Sequence, residues 1–530
     1  MADSRANNAR QSKGQAPLPV RLFVVAVTLI MVSCGGGGGG QNVASGNPAP
    51  PVTSPSTESL SSTDAAGVVQ RAAEAADDGT MVIAVTDRAG RILALYRKPG
   101  APATVTGNFG QTVNANEQAV ALARTASFFS NNQAPLSTRT VRFISGKNFP
   151  PGVEFTGISG ALYGIENTNR GCELSSEYIP GQEVPPARSI DGTTTGLGII
   201  TGKADLMDSD PAAVNPGGVP LFRGGVVVGG VGVVASSFDV AEFAAFTAAV
   251  SGGFGPVVAP PGVVIIDGIA LPFVEQTTRP GGFGAGSFNA ALFVMGPSAS
   301  PGAPPEGDLV APVAGPLGGL TAAEVRLIID QSIAAAQTTR AVIRLPLGSR
   351  ARMAIAVADL DGRIIGMHRM ADSTVFSIDV AATKARNMIY FSGPTRLAQD
   401  LPEVPGGTAV TNRTISFGAQ PLYPPGIGGS LPGPFFDLYT FDTLNPCTQG
   451  FQPAGPNQSG IVFFPGSLPL YKNGVLVGGL GISGDGVEQD DYVAALGAVG
   501  FEAPEAIRAD QIFIRDAPLP YLKFPRNPTD

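Results

Sequence analysis

The chain has 530 residues, 43% hydrophobic and 14% charged, with a formal net charge of −8 and one histidine. That length allows two to four domains with real cores, and its 70 glycines and 47 prolines point to long loops between folded parts. An acidic chain without a basic stripe makes a poor nucleic-acid binder, so that class of partner is excluded.

At the N-terminus, Arg5, Arg10, Lys13 and Arg21 precede an apolar run, Leu22 to Ser33, that is too short to span a bilayer. The run ends at "MVSC", which resembles a bacterial lipobox. This predicts a lipoprotein signal peptide over 1–33 and lipidation at Cys34; the alternatives are an ordinary signal peptide or a buried apolar segment. Residues 34–59, with six glycines directly after Cys34 and then rich in Pro, Ser and Thr, read as a flexible tether. The expected location is the cell envelope, exported and lipid-anchored, at the outer membrane or in the periplasm. Two further cysteines, Cys172 and Cys447, are expected either as a disulfide or as two buried thiols.

From Leu60 onward the chain is written twice. "LSSTDAAGVV" at Leu60 lines up with "LTAAEVRLII" at Leu320, each with Ser or Thr followed three residues later by an acid, a capping-box pattern at a helix start. "MVIAVTDRAGRILALYR" (Met81–Arg97) then matches "MAIAVADLDGRIIGMHR" (Met353–Arg369), each an apolar strand, a glycine-containing turn and a second apolar strand. Two helices follow, "EQAVALARTASFFS" and "DVAATKARNMIYFS", and then "RTVRFISGKNFPPGV" pairs with "RTISFGAQPLYPPGI". A second hairpin recurs as "VPLFRGGVVVGGVGVV" and "LPLYKNGVLVGGLGIS", and each copy closes on a helix. The order of helix, hairpin, helix, long loop, hairpin, helix predicts an α+β layer fold on an antiparallel sheet.

The expected boundaries are a first domain at 60–250, a Pro/Gly-rich linker at 251–319 with room for short strands but no third core, a second domain at 320–510 and a tail at 511–530. Each copy can bury against its twin the surface that a single-domain relative would use to oligomerise. An internal pseudo-dimer is therefore expected, with further self-association left open, and Cys172 and Cys447 would bond across or near its axis.

These stretches resemble the GlcG/HbpS-like haem-binding family, through "MAIAVADLDGRIIGMHRM", "SIDVAATKA" (Ser377–Ala385), "LPLYKNGVLVGGLGISGDGVEQDD" and the closing helix. The resemblance implies two profilin-like α/β/α domains, each a roughly five-stranded antiparallel sheet flanked by helices. It also implies haem, or a related tetrapyrrole, as cofactor and partner. The first copy has Leu122 where the second has Lys384, and its "GVVASSFDVAEF" lacks most of the glycines and acids of "GISGDGVEQDD". The second copy is thus where a ligand is expected.

The chain has no G-x-S-x-G, no H-E-x-x-H and no C-x-x-C. "DLDG" (Asp359–Gly362) breaks the calcium-loop pattern and reads as a hairpin turn. "GGLGISGDG" reads as a close-packed strand before an acidic helix start, with Asp490 and Asp491 in a first turn favoured by the helix dipole. His368 is expected to share a strand face with Ile364, Gly366 and Met370, and Arg369 to share the other with Ile365 and Met367. His368 is then either a structural histidine or the metal (iron) ligand, with Gly366 leaving room beside it. Lys384 is either a solvated helix residue or, with Arg386, a cation for the propionates. Tyr96 takes the place of His368 in the first copy.

Three functions compete. One is an envelope tetrapyrrole-binding protein, another is an enzyme acting on haem or a small organic acid, and the third is a non-catalytic surface interaction module.

Overall fold

The computed structural model describes residues 58–107, 111–145, 163–165, 214–256, 264–266, 269–295, 306–317, 319–425, 431–445, 448–455 and 457–529. The stretch expected to direct export, most of the expected tether, Cys34, Cys172 and Cys447 lie outside the described residues.

Helix Ser62–Ala75 begins where Ser61 accepts from the Asp64 N–H at 3.1 Å and Asp64 accepts from the Ser61 N–H at 2.7 Å. Helix Ala322–Thr338 begins with the same reciprocal pair, Thr321 and Glu324. Two orphan donors are satisfied in each case, which fixes both helix starts.

Two five-stranded antiparallel sheets follow, each flanked by helices, which is the expected fold class. In the first, the order is Gly218–Arg223, Val226–Val234, Val82–Asp87, Ile92–Arg97 and Phe293–Met295. In the second it is Ser467–Lys472, Val475–Ser483, Ala354–Ala358, Ile364–Arg369 and Gly307–Val310. The outer hairpins turn through Gly224–Gly225 and Asn473–Gly474, all four at positive φ, as a two-residue turn matched to strand twist requires.

Both fifth strands come from the stretch expected to be a linker. Phe293 pairs with Tyr96, and Asp308 pairs with His368. Short strands at sheet edges need little apolar sequence, so a Pro/Gly-rich segment can supply the edge strand of each sheet.

One side of each sheet carries the central helix, Ala115–Phe129 or Ser377–Phe391. Here the strand glycines matter. A Cβ at Gly230 or Gly232 would run into the carbonyls of Ala123 and Ala119, and at Gly479 or Gly481 into those of Ala385 and Ala381. Helix backbone therefore lies directly on strand backbone in both halves, and this contact makes Leu122 and Lys384 equivalent positions. The opposite side carries the first and closing helices, Ala322–Thr338 and Val487–Gly497 in the second half.

The halves pack together through a common hydrophobic cluster that joins Phe128, Phe129, Leu136 and Ile144 to Val375, Phe376, Val380 and Phe464. Phe129 stacks on Phe376 with centroids 4.1 Å apart, and the Val375 N–H donates to the Phe128 carbonyl at 3.0 Å. The Asn131 side chain donates to the Ile343 carbonyl at 3.1 Å, and buried Arg344 reaches Gln133 at 3.2 Å. The tail runs over the second half, where Pro528 accepts from the Arg340 N–H and Tyr521 accepts from the Thr411 hydroxyl.

Candidate functional site

A cavity of about 840 Å³ opens where the halves meet, in the upper part of the roughly 300–1,000 Å³ range of small-molecule sites. The first half contributes Phe129, Leu136, Ile144, Ile165 and Ile265. The second contributes Val342, Ile343, Phe376, Phe464, the turn from Ser483 to Asp490, and tail residues Lys523 to Arg526. The wall is mostly apolar, with Arg340, Lys523 and Arg526 as its cations. Lys523 and Arg526 are exposed, so positive charge sits on the solvent-facing side. Lys523 pairs there with Glu488.

Asp490 is among the buried polar residues of this wall. Lys384, fully buried on the central helix, donates to its Oδ2 at 3.0 Å and to the Ile482 carbonyl at 2.7 Å. The ammonium also lies 4.6 Å from the Phe464 ring centroid, a cation–π contact. The second carboxylate oxygen, Oδ1, is buried with no hydrogen-bond partner among the described residues. Burial pushes the Asp490 carboxyl up to about 7 against the pull of Lys384, and burial pushes the Lys384 ammonium down. Asp491, beside it, is fully committed. It accepts from Arg413, from the Gly466 N–H at 2.9 Å and from the Lys523 N–H at 3.1 Å.

The equivalent place in the first half is apolar. Gly466 would meet the Asp490 Cβ and the Ile482 carbonyl; Gly217 would meet the Ala241 Cβ and the Val233 carbonyl in the same arrangement. Leu122 and Ala241 thus stand where Lys384 and Asp490 stand, and both line a smaller cavity of about 210 Å³.

The expected site residues do not converge. The His368 Nδ1 lies 2.8 Å from Asp308 Oδ1, and its side chain is 20% exposed. Asp308 also pairs with Arg326 at 2.9 Å. Despite some burial, these bonds from His368 and Arg326 hold the Asp308 carboxyl below its usual range. This network lies on the sheet face covered by helix Ala322–Thr338, whereas Lys384 and Arg386 lie on the helix packed against the other face. No single ring can meet all three.

Gly366 leaves no room for a ligand beside His368, because a Cβ there would come within 2.5 Å of Val325 and 3.0 Å of Ile329. Nor does Ile364 share the face of His368. A bulge opposite Val357 and Ala358 turns Ile364 into the cluster with Met367 and sends Ile365 to the other core. Arg386 is buried, and its Nε donates to the Gly362 carbonyl at 2.9 Å. Arg124 does the same for Gly90 at 2.7 Å, so this arginine braces the hairpin turn in both halves and is not held out for propionates. Lys384 is buried and does not line the cavity; it pairs with Asp490, which does. Tyr96 is buried in its own core, its hydroxyl accepting from the Asn289 N–H at 3.1 Å.

The sequence did not point to the burial of Asp490, because an acid in a first helical turn is ordinarily solvated. The available signal was the lysine in "VAATKA", flanked by small apolar residues on a helix that must lie against a glycine strand. Among the described residues no group of three or more His, Cys, Asp or Glu side chains is placed to hold a metal ion.

No curated protein matches the chain. Among solved structures, the Klebsiella pneumoniae protein ORFY, of the family DUF336, is 20% identical over 35% of this chain and 92% of its own, with a TM-score of 0.23. The PduOC:heme complex is likewise 20% identical, over 35% of this chain and 96% of its own, with a TM-score of 0.22. Residues 320–498, which carry the second sheet, Lys384 and Asp490, match the family described as "Haem degrading protein HbpS-like".

Proposed function

We propose that the protein binds a tetrapyrrole in the cavity between its halves, one per chain, held mainly by the second half. The observation that carries this reading is the cavity itself: a large apolar space with Arg340, Lys523 and Arg526 placed to meet carboxylates. Its faces suit the apolar body of a haem-class ring, and its cations suit the two propionates. The family match over 320–498 supports the same ligand class.

The fit stops at the iron. None of the described lining residues carries an imidazole, thiol, thioether or phenol, so the ring would be held by its faces and carboxylates. On this reading the first half is a degenerate second copy that lends Phe129 and its neighbours as one wall. Export by the N-terminal segment and anchoring through Cys34 would place the cavity in the cell envelope.

The test is titration of the purified protein with hemin, protoporphyrin IX and biliverdin, each followed by its own absorption band. Val487→Trp, which fills the cavity, is expected to weaken every tetrapyrrole that binds by at least tenfold, and His368→Ala to leave affinity unchanged. Saturable binding that survives Val487→Trp but is lost in His368→Ala would move the site to the Asp308 side of the sheet. The absence of saturable binding by any of the three would leave the interaction-module reading in its place.

A further inference from the structure

We infer that the solvent-facing side of the cavity is a carboxylate-exchange site: Arg526 meets one carboxylate of the ligand directly, and Lys523 meets the second only by giving up Glu488. This deepens the tetrapyrrole reading above and rests on it. The consequence is a cavity that prefers tetrapyrrole dicarboxylates to their neutral esters, with Glu488 as a built-in competitor that limits the preference.

The groups concerned are open to a ligand. Lys523 and Glu488 both line the cavity and pair with each other, and their side chains are 66% and 27% exposed. Arg340 and Arg526 line the same cavity, and neither guanidinium has a carboxylate partner among the described residues. The Arg340 guanidinium donates instead to the Arg526 carbonyl at 3.2 Å. Asp490 is already spent on Lys384. Three cations therefore face one exchangeable acid in a chain whose net charge is −8, a local excess that draws anions to this wall.

Two of the three cations come from the tail, outside the segment 320–498 that matches the family. The tail backbone is held in place. The Thr411 and Thr414 hydroxyls donate to the carbonyls of Tyr521 and Pro520, both at 2.7 Å, and Asp491 accepts from the Lys523 N–H at 3.1 Å. Lys523 is thus fixed at its backbone, and only its side chain has to move when partners exchange.

Glu488 does not need the lysine. It lies in the first turn of helix Val487–Gly497, where the helix dipole favours an acid, and Asp239 holds the same place in helix Phe238–Ser251 of the first half. Asp239 is exposed and makes no ion pair among the described residues. An acid here belongs to the helix start, and the lysine laid across it is the second half's addition. When a ligand carboxylate takes Lys523, Glu488 falls back on water and on the helix N-terminus. An ion pair this exposed is worth up to about fivefold in an equilibrium constant, and that is the penalty Glu488 places on binding.

The test is titration of the purified protein with hemin, protoporphyrin IX and biliverdin, each as the free dicarboxylic acid and as its dimethyl ester. In the parent the acid is expected to bind tighter than its ester by about fivefold or more. Glu488→Gln, which leaves Lys523 without its internal partner, should raise that preference by a further factor of about two to five. Lys523→Gln should lower it by a similar factor, and adding Glu488→Gln to Lys523→Gln should then change the preference no further. A residue that served only the fold would not sharpen this preference when removed. An acid that binds the parent no tighter than its ester, or a Glu488→Gln protein whose preference is unchanged or reduced, would overturn the exchange while the tetrapyrrole reading stands. If neither form of any of the three binds the parent, that reading fails and the exchange falls with it.

Discussion

Replacing Lys384 by Leu should expose the energetics of the second half's buried ion pair. The change removes a cation that is fully buried, 3.0 Å from Asp490 and over the Phe464 ring, and leaves Asp490 in a low-dielectric wall beside Asp491. Breaking a buried pair from one side costs about 3–5 kcal/mol, because the remaining charge is neither solvated nor compensated. Asp490 escapes by taking a proton, and the sign of the pH dependence follows. Its folded value already lies at about 7, above the 3.8 of an ordinary aspartate, and rises further without Lys384. Over that range the folded state holds a proton that the unfolded state has released, so stability is present at low pH and lost as pH rises, by up to about 1.4 kcal/mol per unit.

Relative to the parent, urea unfolding of Lys384→Leu should therefore show little loss near pH 5 and about 1.4 kcal/mol at pH 8, one unit above the parent's value of about 7, with the rest of the cost appearing only at higher pH. Asp490→Ala should show the opposite slope, since it strands a lysine whose folded value is depressed. The double variant, which reproduces the Leu122 and Ala241 environment, should lie within about 1–2 kcal/mol of the parent at both pH values. A single variant that loses less than about 1 kcal/mol at pH 8, or a double variant as unstable as the sum of the singles, would refute this account of the pair.

Three further outcomes are expected. Burial raises the Asp379 carboxyl to about 7 against the attraction of Arg386, and neither of its oxygens has a partner among the described residues. Asp379→Asn should therefore remove a loss of stability that the parent shows between about pH 4 and pH 7, worth up to about 4 kcal/mol, in unfolding curves taken across that range. Phe376→Ala removes the ring stacked on Phe129 and should cost about 3–5 kcal/mol in urea unfolding; because the same ring lines the cavity, tetrapyrrole affinity should fall with it. His368→Ala breaks a partly exposed pair with Asp308 and should change stability by less than about 1 kcal/mol by the same measurement.

Much of the fold was legible because its signals are local. Ser61 with Asp64 and Thr321 with Glu324 announce helix starts, and Gly224–Gly225 and Asn473–Gly474 announce hairpins. The glycine-rich strands announce close packing of a helix on a sheet. What stayed hidden depended on partners distant in sequence. Edge strands as short as Phe293–Met295 and Gly307–Val310 have too few residues to show alternation, and only the pairing with Tyr96 and His368 defines them. One bulged residue reversed the expected face of Ile364, since side chains alternate with a period of two. The candidate site was legible as a region but not as a set of residues. Rarity singled out His368, yet the buried ion pair beside the cavity is Lys384 with Asp490, an acid whose place in a first helical turn makes it look solvated.

The comparison between halves also separates structural charge from charge available to a ligand. Arg124 and Arg386 hold the same turn carbonyl in their two halves, so that arginine belongs to the architecture wherever it occurs. Lys384 and Asp490 have no such twin. A buried ion pair is rarely a gain in stability over apolar residues of similar volume, and the first half shows that apolar residues suffice at this place. The second half therefore accepts the desolvation of two charges, with one carboxylate oxygen left unpaired, at the wall of the larger cavity. The pair is thus a departure that the fold does not require, set beside the larger of the two cavities.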